Sequence, residues 1–125
     1  MSLTTAIADR LTDMVEGTVY VGGLPAKPRS QNAQWAVIAQ GGGDPEGGNI
    51  LLWRQVATFQ VRYRHKDGAS IYEADGQLRA ALAAPWTFEE ARVLSVTTSP
   101  VTDTDEDAEG RHTASWTVQV TLLIA

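Results

Sequence analysis

The chain has 125 residues, 43% hydrophobic and 20% charged, which is typical of one globular domain with a single buried core. Because it contains no cysteine, disulfides, thiolate zinc sites and cysteine nucleophiles are excluded, and its net charge of −5 argues against tight binding to nucleic-acid phosphates. No run approaches the roughly 18 apolar residues of a membrane helix, and the N-terminus lacks the apolar block of a signal peptide, so we expect a cytoplasmic chain without a membrane partner.

The N-terminal segment predicts a helix that Ser2 or Thr4 caps and that ends near Glu16, before Gly17. Its apolar residues recur three and four positions apart, which places them on one face: Leu3, Ile7, Leu11, Met14 and Val15. A short strand is predicted at residues 18–21. The stretch "GGLPAKPRSQNAQ" that follows contains glycines and prolines, so we expect an irregular and exposed connection.

Two predicted strands frame a glycine-rich segment. Residues 35–40 alternate in the manner of a strand, and from Ala57 onward the alternation is the clearest in the chain. In the second strand one face is apolar, with Phe59, Val61 and Tyr63, and the other is polar, with Thr58, Gln60, Arg62 and Arg64. We predict that the two strands pair antiparallel, as a hairpin with a long loop.

The C-terminal half predicts a second helix and two more strands. Ser70 and Glu73 have the spacing of a capping box, so the helix is expected to open there and to stop before Pro85. Strands are predicted at residues 92–98 and 112–124. The chain is therefore predicted to be one α+β domain over residues 1–125. We expect a mainly antiparallel sheet of about four strands with two helices packed on one face. The sequence does not decide whether one strand pair is parallel, which would make the sheet mixed.

The glycine-rich segment "GGGDPEGG", residues 41–48, is a candidate interaction loop. A phosphate-binding loop would end in Gly-Lys-Ser/Thr, but this segment carries Asp44 and Glu46 and no lysine follows. A dinucleotide-binding fingerprint would open a helix, whereas a strand is predicted here. We expect no nucleotide cofactor, and interpret the segment as a flexible excursion that orders against a protein partner.

The acidic stretch "DTDEDAEG", residues 103–110, is a second candidate loop. Its alternating acids are similar to the start of a calcium loop, but Ala108 and Ala114 replace the glycine and the bidentate glutamate that such a loop requires. We therefore predict no metal site and a solvated hairpin loop between the last two strands, although weak divalent-cation binding stays open. Asp105 and Asp107 are candidate contacts to a partner.

No catalytic motif is recognisable. His65 and His112 are the only histidines, and each lies at a strand end on the side of the apolar face, where the two could approach one another across the sheet. The sequence has neither a Gly-x-Ser-x-Gly elbow nor a His-Glu-x-x-His helix, and the adjacent Glu89 and Glu90 diverge on any regular element. We predict a protein without catalytic residues.

Arg62 and Arg64 allow two interpretations. They lie on the polar face of their strand, which is either a solvated surface or a contact between subunits, because arginine suits paired recognition of carboxylates. The acids of either loop are possible partners in a neighbouring copy. Among the tryptophans, Trp35 and Trp116 are predicted in the core, whereas Trp53 and Trp86 are either core residues or surface anchors.

The order of these elements resembles the tail terminator proteins of long-tailed bacteriophages, also called minor tail or minor capsid proteins. The resemblance covers nearly all of the chain. It depends on the order of the segments. The N-terminal helix is followed by "GGLPAKPRS", then by a strand and the glycine-rich "GGGDPEGG", and then by the strand "ATFQVRYRHKD", which leads into "ASIYEADGQLRAAL". These are patterns of residue type, and no catalytic residue is carried over.

The resemblance implies a hexameric ring on the head-proximal end of the tail tube, in a virion made in the bacterial cytoplasm. Such a ring stops polymerisation of the tube protein, meets the connector of the head and lets DNA pass through its lumen without specific binding. The two loops and the arginines, Asp44, Glu46, Arg62, Arg64, Asp105 and Asp107, are the candidate interaction residues. A head-completion or connector protein is the nearest alternative, and a small α+β enzyme or a monomeric ligand-binding module are others.

Overall fold

The structure, a computed structural model, describes residues 2–15, 17–24, 33–40, 54–67, 70–89, 91–106 and 110–124. Its elements are, in chain order, α1 (Leu3–Met14), β1 (Thr18–Val21), β2 (Gln34–Ala39), β3 (Arg54–His65), α2 (Ser70–Leu82), β4 (Trp86–Phe88), β5 (Ala91–Thr98), β6 (Thr102–Glu106) and β7 (His112–Ile124). Both predicted helices are confirmed. Neither helix, within these ranges, has the length and hydrophobicity to cross a lipid bilayer.

The described strands form one seven-stranded sheet with the order β1-β2-β3-β7-β5-β4, and β6 also pairs with β7. Only the pair β1–β2 is parallel among those described. The sheet is curled into a half-barrel, so the domain is mostly sheet. Our prediction of an α+β domain with about four mainly antiparallel strands is therefore wrong.

Two of the seven described strands, β4 and β6, are not among the segments predicted as strands, each for a physical reason. β4 has three residues, too few to display a hydrophobic period. β6 has the sequence TDTDE, and residues 102–106 were predicted in part as a solvated loop, which is wrong. The acids are compatible with a strand because β6 pairs with β7, while the side chains of Asp105 and Glu106 remain exposed.

The core lies between the two helices and one face of the sheet. Alternate residues of β3 and β7 point into it, and both helices contribute one apolar face, including Leu11 and Leu78. Trp35 and Trp116 are fully buried there, with ring centroids 5.9 Å apart, which confirms both as core residues. We call the opposite side of the sheet, where Gln60 and Arg62 lie, the helix-free face.

Local interactions set the start of each helix. The Ser2 hydroxyl accepts the Thr5 N–H at 3.1 Å, so Ser2 is the cap of α1. At the start of α2 the Ser70 hydroxyl does not serve a capping box, because it accepts from the Tyr63 hydroxyl at 2.9 Å and donates to the Asp67 carbonyl at 2.6 Å. Ser70 therefore ties the helix to the end of β3.

Candidate functional site

A polar groove of about 720 Å3 lies on the helix-free face of the sheet. Its floor is formed by β3 and β7, and its sides by residues 22–24, which leave β1, and by Thr104 and Asp105 of β6. We call it the arginine groove, lined by Arg62, Arg64, Thr113, Ser115, Thr104, Asp105 and residues 22–24. Two predicted site residues, Arg62 and Arg64, thus share a concave surface with a third, Asp105.

Arg64 is a buried cation with a fixed position. It is 8% exposed, and its Nε and Nη2 donate to Gln34 Oε1 at 3.0 and 2.7 Å. Gln34 lies opposite Arg64 on β2 and is itself buried. A buried charge is costly unless it is hydrogen-bonded, and these two hydrogen bonds to one oxygen hold the guanidinium in a defined orientation. The interpretation of a solvated arginine is therefore wrong for Arg64.

Arg62 differs from its neighbour because its side chain is exposed. Its Nε donates to Gln60 Oε1 at 3.4 Å, and within the described ranges no other hydrogen bond reaches this guanidinium. On the floor of the groove Arg62 lies opposite Ser115 of β7. A planar cation with most of its donors open is suited to receive a carboxylate from another molecule.

The acidic side of the groove belongs to β6. Asp105 Oδ1 accepts the Glu106 N–H at 2.8 Å, and Glu106 Oε1 lies 3.6 Å from His112 Nε2. The other predicted contacts, Asp44, Glu46 and Asp107, lie outside the described residues, as does Trp53. The structure therefore brings together every predicted site residue that it describes, namely Arg62, Arg64 and Asp105.

The sequence did not reveal Gln34 or Ser115 as members of the groove. Both are buried polar residues whose positions in their strands place them on the helix-free face. Gln34 could have been found only from its position opposite Arg64 in the sheet. That pairing depends on the register of β2 against β3, which no local sequence pattern specifies across a long loop.

A second cavity, of about 520 Å3, lies at the end of β3 on the helix side. It is lined by Tyr63, His65, Asp67, Ser70 and Glu73, with Gly17, Ala33 and Gln77. Burial raises the pKa of the Tyr63 hydroxyl, which donates to Ser70. The register places His65 directly opposite His112, so the predicted approach of the two histidines is confirmed.

The hydrogen bonds of this cavity do not form a nucleophile–base pair. The Ser70 hydroxyl donates to the Asp67 carbonyl, and His65 Nδ1 accepts the Asp67 N–H at 2.9 Å. A serine nucleophile would instead donate its proton to the imidazole. Across the described part of the chain, no three His, Asp or Glu side chains are arranged to hold a metal ion.

A third cluster connects α2 to the sheet. Asp75 accepts from Trp116 Nε1 at 2.9 Å and from Arg79 Nε at 3.1 Å. Arg79 in turn donates to the carbonyls of Thr98 and Ser99, at 3.1 and 2.9 Å. Trp86 also binds to α2: its side chain is buried, and its indole N–H donates to the Leu82 carbonyl. It is therefore a core residue and not a surface anchor. These contacts stabilise the fold.

No protein-family model matches the chain, and no curated protein matches it significantly.

Proposed function

We propose that this chain is a structural protein of a bacteriophage virion that assembles into a closed, hexameric ring at the head-proximal end of the tail. The ring caps the tail tube, ends polymerisation of the tube protein and joins the tail to the connector of the head. Its partners are copies of itself, the tube protein and the connector or completion protein. It is not an enzyme and needs no cofactor.

The arginine groove is the observation that carries this proposal. It presents one open guanidinium, Arg62, beside one that is fixed, Arg64, in a concave polar surface. Arginine is enriched at protein interfaces because its planar fork binds carboxylates in a defined geometry. A surface of this kind supports recognition of an acidic segment of a neighbouring protein subunit.

The charge of the chain supports the passage of DNA through such a ring. A net charge of −5 opposes adhesion to a polyanion, because retention by counterion release needs clusters of Lys and Arg. DNA would therefore slide through the lumen without specific contacts. The protein is expected in the mature virion after synthesis in the host cytoplasm.

Assembly with the tail tube protein of the same particle tests the proposal. We expect closed rings by negative-stain microscopy and solution mass, and we expect added protein to cap tubes and stop their elongation. His65→Ala and His112→Ala should leave both properties intact, because neither histidine is assigned a chemical role. A protein that stays monomeric at all concentrations, and that leaves tube length unchanged, would contradict the proposal.

A further inference from the structure

The outer face of α1 carries two carboxylates in an unfavourable local arrangement. Asp9 and Asp13 are exposed and four residues apart, so like charges are neighbours on the helix surface. Asp13 also lies in the last turn, where the helix dipole disfavours a negative charge, and that turn contains no basic residue. We call this pair the α1 ridge.

The cation between them does not neutralise the ridge. Arg10 Nε donates to the Ala81 carbonyl at 2.9 Å, and its guanidinium carbon lies 4.5 Å from the centre of the Trp86 ring. Arg10 thus holds α1 against the end of α2 and β4. Residues that oppose local stability without a compensating contact in their own chain often serve an intermolecular contact.

The ridge and the arginine groove lie on opposite sides of the subunit. α1 packs on the face of the sheet that bears Val61, and Asp9 and Asp13 are on the exposed side of that helix. Arg62, the next residue along β3, lies on the helix-free face. A contact between the ridge of one copy and the groove of another is therefore heterologous, and such contacts continue from copy to copy and form a ring when the rotation between copies closes.

We propose that the arginine groove of each subunit binds the α1 ridge of the next, with Arg62 facing the carboxylates of Asp9 and Asp13. The proposal rests on the ring-forming function and identifies the occupant of the groove as a second copy of this chain. Charge complementarity supports that choice, because the groove offers a guanidinium with open donors and the ridge offers two carboxylates. Asp105, at the opposite side of the groove, restricts an incoming acid to the arginine side.

Charge reversal in both partners tests the contact. Arg62→Glu should weaken self-association by roughly tenfold or more, because it places like charges across the interface. The double variant Asp9→Lys/Asp13→Lys should do the same. An equimolar mixture of the two variants should regain assembly, because each groove then meets a ridge of opposite charge. Sedimentation velocity and negative-stain images of the full chain, alone and with tube protein, measure this.

Matched controls use exposed charges outside the contact. Arg92→Glu changes the net charge by the same amount as Arg62→Glu, and Glu73→Lys makes the same kind of reversal as each half of the double variant. Both should keep wild-type assembly, and circular dichroism confirms folding of every variant. Assembly of Arg62→Glu at wild-type strength, or failure of the mixture to recover, would overturn the contact while the ring function stands. Open chains that Arg62→Glu disrupts, but that never cap tubes, would support the contact and overturn the terminator function. A wild-type chain that is monomeric even with tube protein would overturn both.

Discussion

At the scale of single residues, Asp75 shows how one carboxylate can join a helix to a sheet. Its oxygens accept from Arg79 and Trp116, and the hydrogen bond from Arg79 is the largest influence that holds the pKa of Asp75 below its usual value. A carboxyl group whose pKa is lowered by folding adds stability above its unfolded pKa. That contribution disappears as the pH falls through the lower, folded pKa.

We therefore predict that Asp75→Asn lowers the free energy of unfolding at neutral pH by about 1 kcal/mol, because two hydrogen bonds lose their ionised acceptor. The difference from wild type should shrink as the pH falls below the ordinary range of carboxyl groups. Urea denaturation followed by tryptophan fluorescence at a series of pH values measures it. Asp13→Asn is the control, and a difference for Asp75→Asn that is independent of pH would contradict the assignment.

The pair Gln34–Arg64 is a second case in which a single side chain has a measurable role. Gln34→Leu removes the oxygen that accepts both Nε and Nη2 of the buried guanidinium, so we expect a loss of about 2 kcal/mol in unfolding free energy. Gln60→Leu is the matched control, since the Gln60 side chain accepts one long hydrogen bond, of 3.4 Å, from the exposed Arg62. Equal losses of unfolding free energy in the two variants would show that the buried hydrogen bonds to Arg64 stabilise the fold no more than the exposed one to Arg62.

At the scale of elements, Gly17 determines how α1 is followed by β1. It has a φ of 103°, and a Cβ there would overlap the carbonyl oxygen of Ala33, which accepts the Thr18 N–H at 3.1 Å. Gly22, at the other end of β1, has the same φ of 103° but open space around it. The two glycines therefore share backbone strain and differ in steric contact.

Alanine substitution at these two positions separates the effects. We expect Gly22→Ala to cost about 1 kcal/mol, the strain of a left-handed conformation. Gly17→Ala should cost clearly more, because the chain must also move away from Ala33. Guanidinium denaturation of both variants gives the comparison. A Gly17→Ala variant no less stable than Gly22→Ala would contradict the described approach of β1 to Ala33.

The elements also show where local pattern is sufficient and where it is not. β3 was predictable because apolar and polar residues alternate from Ala57 onward, and α1 because its apolar residues recur at helical spacing. β6 was not, because an acidic strand has no apolar alternation and is recognised only by its pairing with β7.

At the scale of the whole molecule, the proposed contact between subunits is mainly electrostatic. Arg62 and the carboxylates of Asp9 and Asp13 are all exposed in the single chain. Attraction between such groups falls as salt shortens the screening length, whereas association through apolar surface is not weakened in this way.

We therefore predict that raising the salt concentration from about 0.05 to about 0.5 M dissociates assembled rings or raises the protein concentration needed for assembly, because the screening length falls several-fold. Sedimentation velocity at fixed protein concentration measures the shift. Arg62→Gln should flatten this salt dependence by removing the interface cation. Rings that are equally stable across this range would show that the contact is held by apolar burial.

The sequence by itself determined the local properties of this protein: two amphipathic helices, the long alternating strands, a tryptophan core and two arginines on a polar strand face. These follow from residue spacing, since helices and strands repeat over a few residues. Only the tertiary structure decided that β1, β4 and β6 complete a curled sheet, that Gln34 fixes Arg64, and that Arg62 and Asp105 line one groove. Those features depend on register between segments distant in sequence, which is set by packing of the whole chain.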